Sequence, residues 1–244
     1  MNELLLALAY GTGAGLMIPL GGYLARIERL QTRWLEQEFR HGMMAFGGGI
    51  LIAAVAFVLV PEGLPLVSLG PGLAAFFGGG VLFALFERLR KRRGGANAQF
   101  NAMLTDFVPE AISLGALIAS GSADAALLAF FIGAQNLPES FNAFREIMDA
   151  GKRRPARVMI SFFALAALGP LAVLAGYLFL SDMPMVTGSI MMAAAGGILF
   201  LMFQDIAVKA HLKYSQAPSL AALGGFALGI VAMALVGSGA ATTF

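Results

Sequence analysis

The sequence predicts an all-α integral membrane protein of eight transmembrane helices, and three observations carry that prediction. The apolar residues fall in runs of about 17–25, the length a helix needs to cross ~30 Å of hydrocarbon. The basic residues are confined to every second connecting segment. Finally, 59% of the 244 residues are hydrophobic and 12% charged, whereas a soluble domain of this size covers itself with far more charge.

The predicted spans are residues 4–25, 42–61, 66–86, 101–120, 124–144, 158–180, 185–206 and 217–238, in one transmembrane domain covering 1–244. Met1-Asn2-Glu3 runs straight into apolar sequence, without the basic region and cleavage site of a signal peptide, so residues 4–25 are expected as the first span. All 16 basic residues lie in four segments: Arg26, Arg29, Arg33 and Arg40; Arg88 and Arg90 to Arg93; Arg145, Lys152 to Arg154 and Arg157; Lys209 and Lys213. The intervening segments, around Gly63–Pro65, Gly121–Ala123 and Ser181–Pro184, have none. Positively charged loops stay cytoplasmic, so both termini are expected outside (N-out/C-out), and an odd number of spans would break the alternation. The same rule accounts for a pI near 9.2. Arg-Lys-Arg-Arg at 90–93, followed by Gly94-Gly95, reads as a topology anchor with a flexible tail, not as a nucleic-acid site. The expected surroundings are the lipid bilayer, with no nucleic-acid partner. With no cysteine, disulfides and thiolate metal sites are excluded.

Within the spans, Gly11, Gly13 and Gly15 of span one permit close helix approach. Arg26 to His41, with Trp34, reads as a helical extension at headgroup level. Gly47-Gly48-Gly49-Ile50-Leu51 in span two is echoed by Ala195-Gly196-Gly197-Ile198-Leu199 in span seven. Those spans run in opposite directions, which suggests an inverted repeat of spans 1–3 and 6–8 around spans 4–5. The small-residue face of Gly224, Gly225 and Gly229 suits packing within the monomer or between two copies in a homodimer.

Most of the acids lie in loops or, like Glu62 and Asp205, at span ends. Asp106, Glu110 and Glu139 lie deeper, together with the amides of Gln135 and Asn136. They occur in two related stretches, Asp106-Phe107-Val108-Pro109-Glu110-Ala111 and Gln135-Asn136-Leu137-Pro138-Glu139-Ser140. Four-residue spacing puts Asp106 and Glu110 on one face of span four, and Gln135 and Glu139 on one face of span five. The two spans are consecutive and joined by a short segment, so they are expected side by side with the Pro-Glu pairs at similar depth. Pro109 and Pro138 cannot donate to the carbonyls of Thr105 and Ala134, which predicts broken helical hydrogen bonding beside the carboxylates. No Lys or Arg is expected at this depth. The carboxylates must be protonated and bonded across helices, relay protons, or share a cation from outside the chain. Oxygen ligands on two helices best describe a divalent-cation site. No zinc-protease motif, phosphate-binding loop, Cys/His cluster or nucleophile–base pair points to an enzyme or a cofactor.

With these residues in place, the chain resembles the ZIP (Zrt/Irt-like) family of divalent-metal transporters, in a divergent bacterial form. The resemblance covers nearly the whole chain through its eight spans, its outside termini and the paired stretches in spans four and five. Family members carry approximately His-Asn-x-Pro-Glu-Gly in both spans. Asp106 stands at the first His position, Glu110 at its Glu, Gln135 at the second His position, Asn136 at the Asn or Asp beside it, and Pro138-Glu139 match outright. The resemblance implies that Asp106, Glu110, Gln135, Asn136 and Glu139 bind a metal in transit, which is moved inward across the bacterial cytoplasmic (inner) membrane. The family's usual cargo is zinc, whereas an all-oxygen site suits Mn²⁺ or Fe²⁺. Phe107 and Gly169 occupy positions where members carry Asn and Glu, which removes the ligands of a second metal position. A non-transporting metal sensor or membrane scaffold is the alternative.

Overall fold

The computed structural model describes residues 2–28, 33–93, 98–151 and 154–241. Expectations concerning Arg29, Trp34, the basic and glycine segment 90–97, and Lys152 and Arg153 lie outside the described residues and side chains. Among the described residues the chain is helical throughout, and its β-structure is a single isolated bridge between Leu212 and Ser215.

Eight helical rods stand at the eight predicted positions. They are α1 (Glu3–Ile27), α2 (Arg33–Ala54, continued through a π-helical turn at Val55–Leu59 into Val60–Val67), α3 (Leu69–Arg93) and α4 (Ala98–Ala119). They continue with α5 (Asp124–Asp149), α6 (Pro155–Phe179), α7 (Pro184–Leu201, a π turn at Met202–Ile206, then Ala207–Ala210) and α8 (Ala217–Ala241). Six of them, α1, α2, α3, α6, α7 and α8, are long and apolar enough to cross a membrane. Exposed Phe77, Phe163, Leu171 and Leu235 on these rods form the kind of apolar exterior that hydrocarbon covers. The protein is a helical, multi-pass membrane protein. The other two rods, α4 and α5, carry the polar stretches, and α5 buries residues around its circumference, from Leu128 and Phe131 to Asn136 and Phe144.

One boundary differs from the expectation. The turn between the second and third rods was expected around Gly63–Pro65, but α2 runs on to Val67 and the chain reverses at Ser68. Ser68 has φ 65°, a conformation that L-residues adopt at a cost. The π turn explains how the helix passes Pro61. Val60 N–H reaches back five residues to the Val55 carbonyl, so the ladder is already shifted where the proline contributes no donor. α7 has the corresponding turn, with Ala207 N–H bonded to the Met202 carbonyl.

Glycine decides which rods sit closest. A Cβ at Gly115 would collide with the Val173 carbonyl, and one at Gly176 with the Ile112 carbonyl, so α4 and α6 meet backbone to backbone. The same reciprocal packing joins α3 to α7 through Gly79 and Gly196, α2 to α8 through Gly49 and Gly225, and α1 to α6 through Gly15 and Gly169. Gly21 brings α1 against Leu137 and Ser140 of α5. These seams, with Gly63 of α2 against Gly188 of α7, sort the rods into two groups of four: α1, α4, α5 and α6, and α2, α3, α7 and α8. Where the groups face each other, between α2 and α5 and between α4 and α7, side chains such as Met44, Met103 and Pro138 intervene. The face of Gly224, Gly225 and Gly229 packs within the monomer, on Phe46 and Ala53 of α2 and Phe131 of α5.

The glycine seams yield a stability test. Gly115→Leu forces a side chain into the Val173 carbonyl, and overpacking of this kind costs about 1–3 kcal/mol or more, so the thermal midpoint in detergent should fall. Gly78→Ala, which meets nothing within 4 Å, should leave the midpoint unchanged or slightly raised.

Candidate functional site

The antiparallel register of α4 and α5 pairs the two polar stretches crosswise. Gln135 Nε2 donates to Glu110 Oε2 across the seam at 2.5 Å. One turn nearer the basic ends of the rods, Asp106 and Glu139 line the same small cavity. The carboxyl groups of Glu139 and Glu110 both lie close enough to Asp106 for their charges to interact. Both rods remain helical through Pro109 and Pro138, and neither proline has an N–H to give the carbonyl four residues before it. The Pro109 carbonyl accepts from the Ser113 hydroxyl at 2.8 Å.

Asn136 sits apart from this group. One residue past Gln135 is 100° around the helix, so its carboxamide faces α1, where Nδ2 donates to the Ala14 carbonyl at 3.2 Å. Ser140, four residues on, lies on the same stripe and donates to Leu137 at 3.1 Å and Met17 at 3.5 Å. The expected five-residue set therefore divides. Asp106, Glu110, Gln135 and Glu139 lie on the α4/α5 seam, while Asn136 fastens α5 to α1.

The seam is buried and its hydrogen bonding is incomplete. Glu110 is 0% exposed and Gln135 1%. Glu110 Oε1, Gln135 Oε1 and Glu139 Oε2 are buried with no hydrogen-bond partner. A buried polar atom left without a partner costs about 1–3 kcal/mol, so three acceptor oxygens close together favour a bound proton, water or cation. The arrangement is not a finished metal centre. Among the described residues, no group of three or more His, Cys, Asp or Glu side chains stands where it could hold a metal ion.

Phe107 and Gly169 pack against each other beside the seam. A Cβ on Gly169 would lie 3.0 Å from the tip of the Phe107 ring and 2.6 Å from the Gly11 carbonyl. Phe107 is 1% exposed. The phenyl ring occupies the space beside the seam, and the glycine opposite makes room for it.

The path to the seam was only partly visible in the sequence. A cavity of about 30 Å³ is lined by Met44, Met103, Asp106, Glu139, Leu201, Asp205, Ile206 and Lys209. A wider cavity of about 700 Å³ is lined by Glu36, Gln37, Arg40, His41, Met44, Asn142, Glu146 and Lys209. The two share Met44 and Lys209, so they lie side by side. They lie at the end of the molecule where α2 begins and α5 and α7 end. Along α5, Gln135, Glu139, Asn142 and Glu146 form one polar stripe of about 16 Å at ~1.5 Å per residue. Both side-chain polar atoms of Asn142 are buried without partners. Toward the opposite end the seam closes on Leu114, Leu117, Leu128 and Phe131, each at most 2% exposed.

Ion pairs surround the wide cavity. Arg145 binds Glu28 at 2.9 Å and also Glu36, Arg40 binds Asp149 at 3.0 Å, and Lys209 binds Asp205 at 2.9 Å. His41 Nδ1 meets the Gln37 carbonyl at 2.6 Å, which keeps the proton on that nitrogen. At the opposite end of α2, Glu62 faces Asp124 and Ser122. Asn142 and Lys209 were not expected at the site, although the sequence held signals for both: Asn142 and Glu146 extend the spacing of Gln135 and Glu139, and Lys209 stands four residues after Asp205.

Comparison of the chain with protein-family models gives no match, and comparison with curated proteins gives none.

The unpartnered amide makes a test of its own. Asn142→Leu replaces two unsatisfied polar atoms by an apolar group of similar volume, which is neutral or stabilising. The thermal midpoint should hold or rise, whereas a residue needed for packing would lower it.

Proposed function

We propose that this protein is a carrier of divalent transition-metal ions, related to the ZIP family, in which Asp106, Glu110, Gln135 and Glu139 hold the ion in transit. The observation that carries this reading is the buried row of unpartnered acceptor oxygens at the end of a polar path. Cavity size supports an ion as cargo. About 30 Å³ beside Asp106 and Glu139 admits a water or a bare ion and excludes an organic solute. The oxygen-only donor set favours Mn²⁺ or Fe²⁺, while the family resemblance favours Zn²⁺.

All eight rods cross the membrane in this reading, with both termini outside. The polar content of α4 and α5 is tolerated because the other rods enclose them. The wide cavity then opens to the cytoplasm, on the side of the basic segments, and the apolar closure at Leu114 and Phe131 faces outward. Packing also supports an inverted repeat. Exchanging α1 with α6, α2 with α7, α3 with α8 and α4 with α5 carries the α2/α8 seam onto α7/α3 and the α1/α5 contact onto α6/α4, and matches the two π turns. Transport inward is a shift of one glycine-knit group against the other. The Arg40–Asp149 and Arg145–Glu36 pairs join α2 to α5 in the inward-open state and must part in the other.

One observation favours a non-transporting metal sensor instead: Phe107 and Gly169 pack side by side next to the seam and neither offers a side-chain ligand. The two readings separate in proteoliposomes. In the transport reading, Glu110→Gln and Glu139→Gln each abolish tracer-metal uptake while the purified variants keep the wild-type thermal midpoint, and a panel of Zn²⁺, Mn²⁺, Fe²⁺, Cd²⁺ and Mg²⁺ identifies the cargo by competition. Undiminished uptake in both variants overturns the site. Calorimetric metal binding by a wild type that takes up none identifies the sensor.

A further inference from the structure

The sequence places no cation at the depth of the carboxylates, yet the structure brings one to their cavity. Lys209 lines both the wide vestibule and the small inner cavity, and among the described residues it is the one basic side chain lining the latter. It reaches there from beyond the π turn of α7, a turn of one extra residue that re-aims the helix after it. Its ammonium pairs with Asp205 at 2.9 Å; the Lys209 side chain is 41% exposed and that of Asp205 13%. Across the same cavity stand Asp106 and Glu139, and Glu139 Oε2 is buried without a partner. A flexible four-carbon stem with a compact charge can therefore choose between two acidic partners, one at the mouth of the cavity and one at its floor.

We infer that Lys209 is the counter-cation of the empty carrier. This role rests on the transport reading above and names what becomes of the site's charge once the metal has left. When the metal is bound, it neutralises the seam and repels the ammonium, which stays on Asp205. When the metal leaves for the vestibule, the ammonium swings to Glu139 and Asp106. It then compensates the charge that the emptied seam would otherwise hold unpaired at the interface between the groups, which lowers the cost of starting the return. Lys209 is thus a positioning residue for the return step, and it competes with the cargo for the same oxygens.

The experiment compares two modes of transport in proteoliposomes with Mn²⁺ and Zn²⁺ as probes. Net uptake into metal-free vesicles requires the empty carrier to return, whereas exchange against internal metal does not. Lys209→Met should lower net uptake about tenfold or more relative to exchange, and Lys209→Arg, which keeps the charge, should restore the ratio. Asp205→Asn removes the resting partner and drives the ammonium onto the seam, so the calorimetric Kd should rise about tenfold, and adding Lys209→Met to Asp205→Asn should reverse that rise. If Lys209→Met changes neither mode, or lowers both equally, or if the double variant binds no better than Asp205→Asn alone, the role of Lys209 is overturned while the carrier stands. A wild type that moves metal in neither mode overturns the carrier and this role with it.

Discussion

The central constraint on this molecule is the burial of the carboxyl groups of Asp106 and Glu110 and of one oxygen of the half-buried Glu139, with Lys209 as the one described cation lining their cavity. A lone ionised group in a low-dielectric interior is too costly to persist. Much of the architecture follows from making the arrangement tolerable. α4 and α5 are wrapped by other rods, so hydrocarbon does not touch the acids. Gln135 satisfies one oxygen of Glu110. A polar stripe down α5 connects the rest to a vestibule large enough to hold water. The remaining unpartnered oxygens keep the site receptive to a cation.

Close packing and mobility are assigned to different surfaces. Within each group of four rods, glycines let backbones touch, and such contacts offer little freedom to slide. Between the groups the seam is filled by methionines, a proline and ion pairs, which rearrange with less strain than interlocked backbone. The two π turns lie in α2 and α7, the rods that present the second group to the first. A helix with a shifted ladder is easier to re-aim than a regular one, so irregularity is concentrated where the groups meet.

Much of this was legible in the chain itself. Apolar run length located helices at the predicted positions, and among the described residues six of them are long and apolar enough to cross a membrane. Four-residue spacing put Asp106 with Glu110 and Gln135 with Glu139, and the structure keeps both pairs on facing sides of α4 and α5. What escaped had identifiable physical causes. Asn136 shares a stretch with Gln135 but not a face, and adjacency in sequence says little when each residue turns the helix by 100°. Pro109 and Pro138 each remove one backbone donor, and both helices nevertheless run on through them. Lys209 read as a loop charge because its reach depends on a π turn that no residue pattern announced. Pro61 gave a hint of the matching turn in α2, but the chain was read as ending its helix there.

The contact between Phe107 and Gly169 has a consequence for how the two positions can be substituted. The ring needs the missing side chain opposite it, and any side chain opposite would meet both the ring and the Gly11 carbonyl. A larger side chain placed at 169 alone has nowhere to go, and a smaller one at 107 alone leaves a hollow beside a glycine. Either substitution by itself disturbs the packing, so the two positions act as one unit. Filling 169 requires a smaller residue at 107 together with a slight parting of α1 from α6.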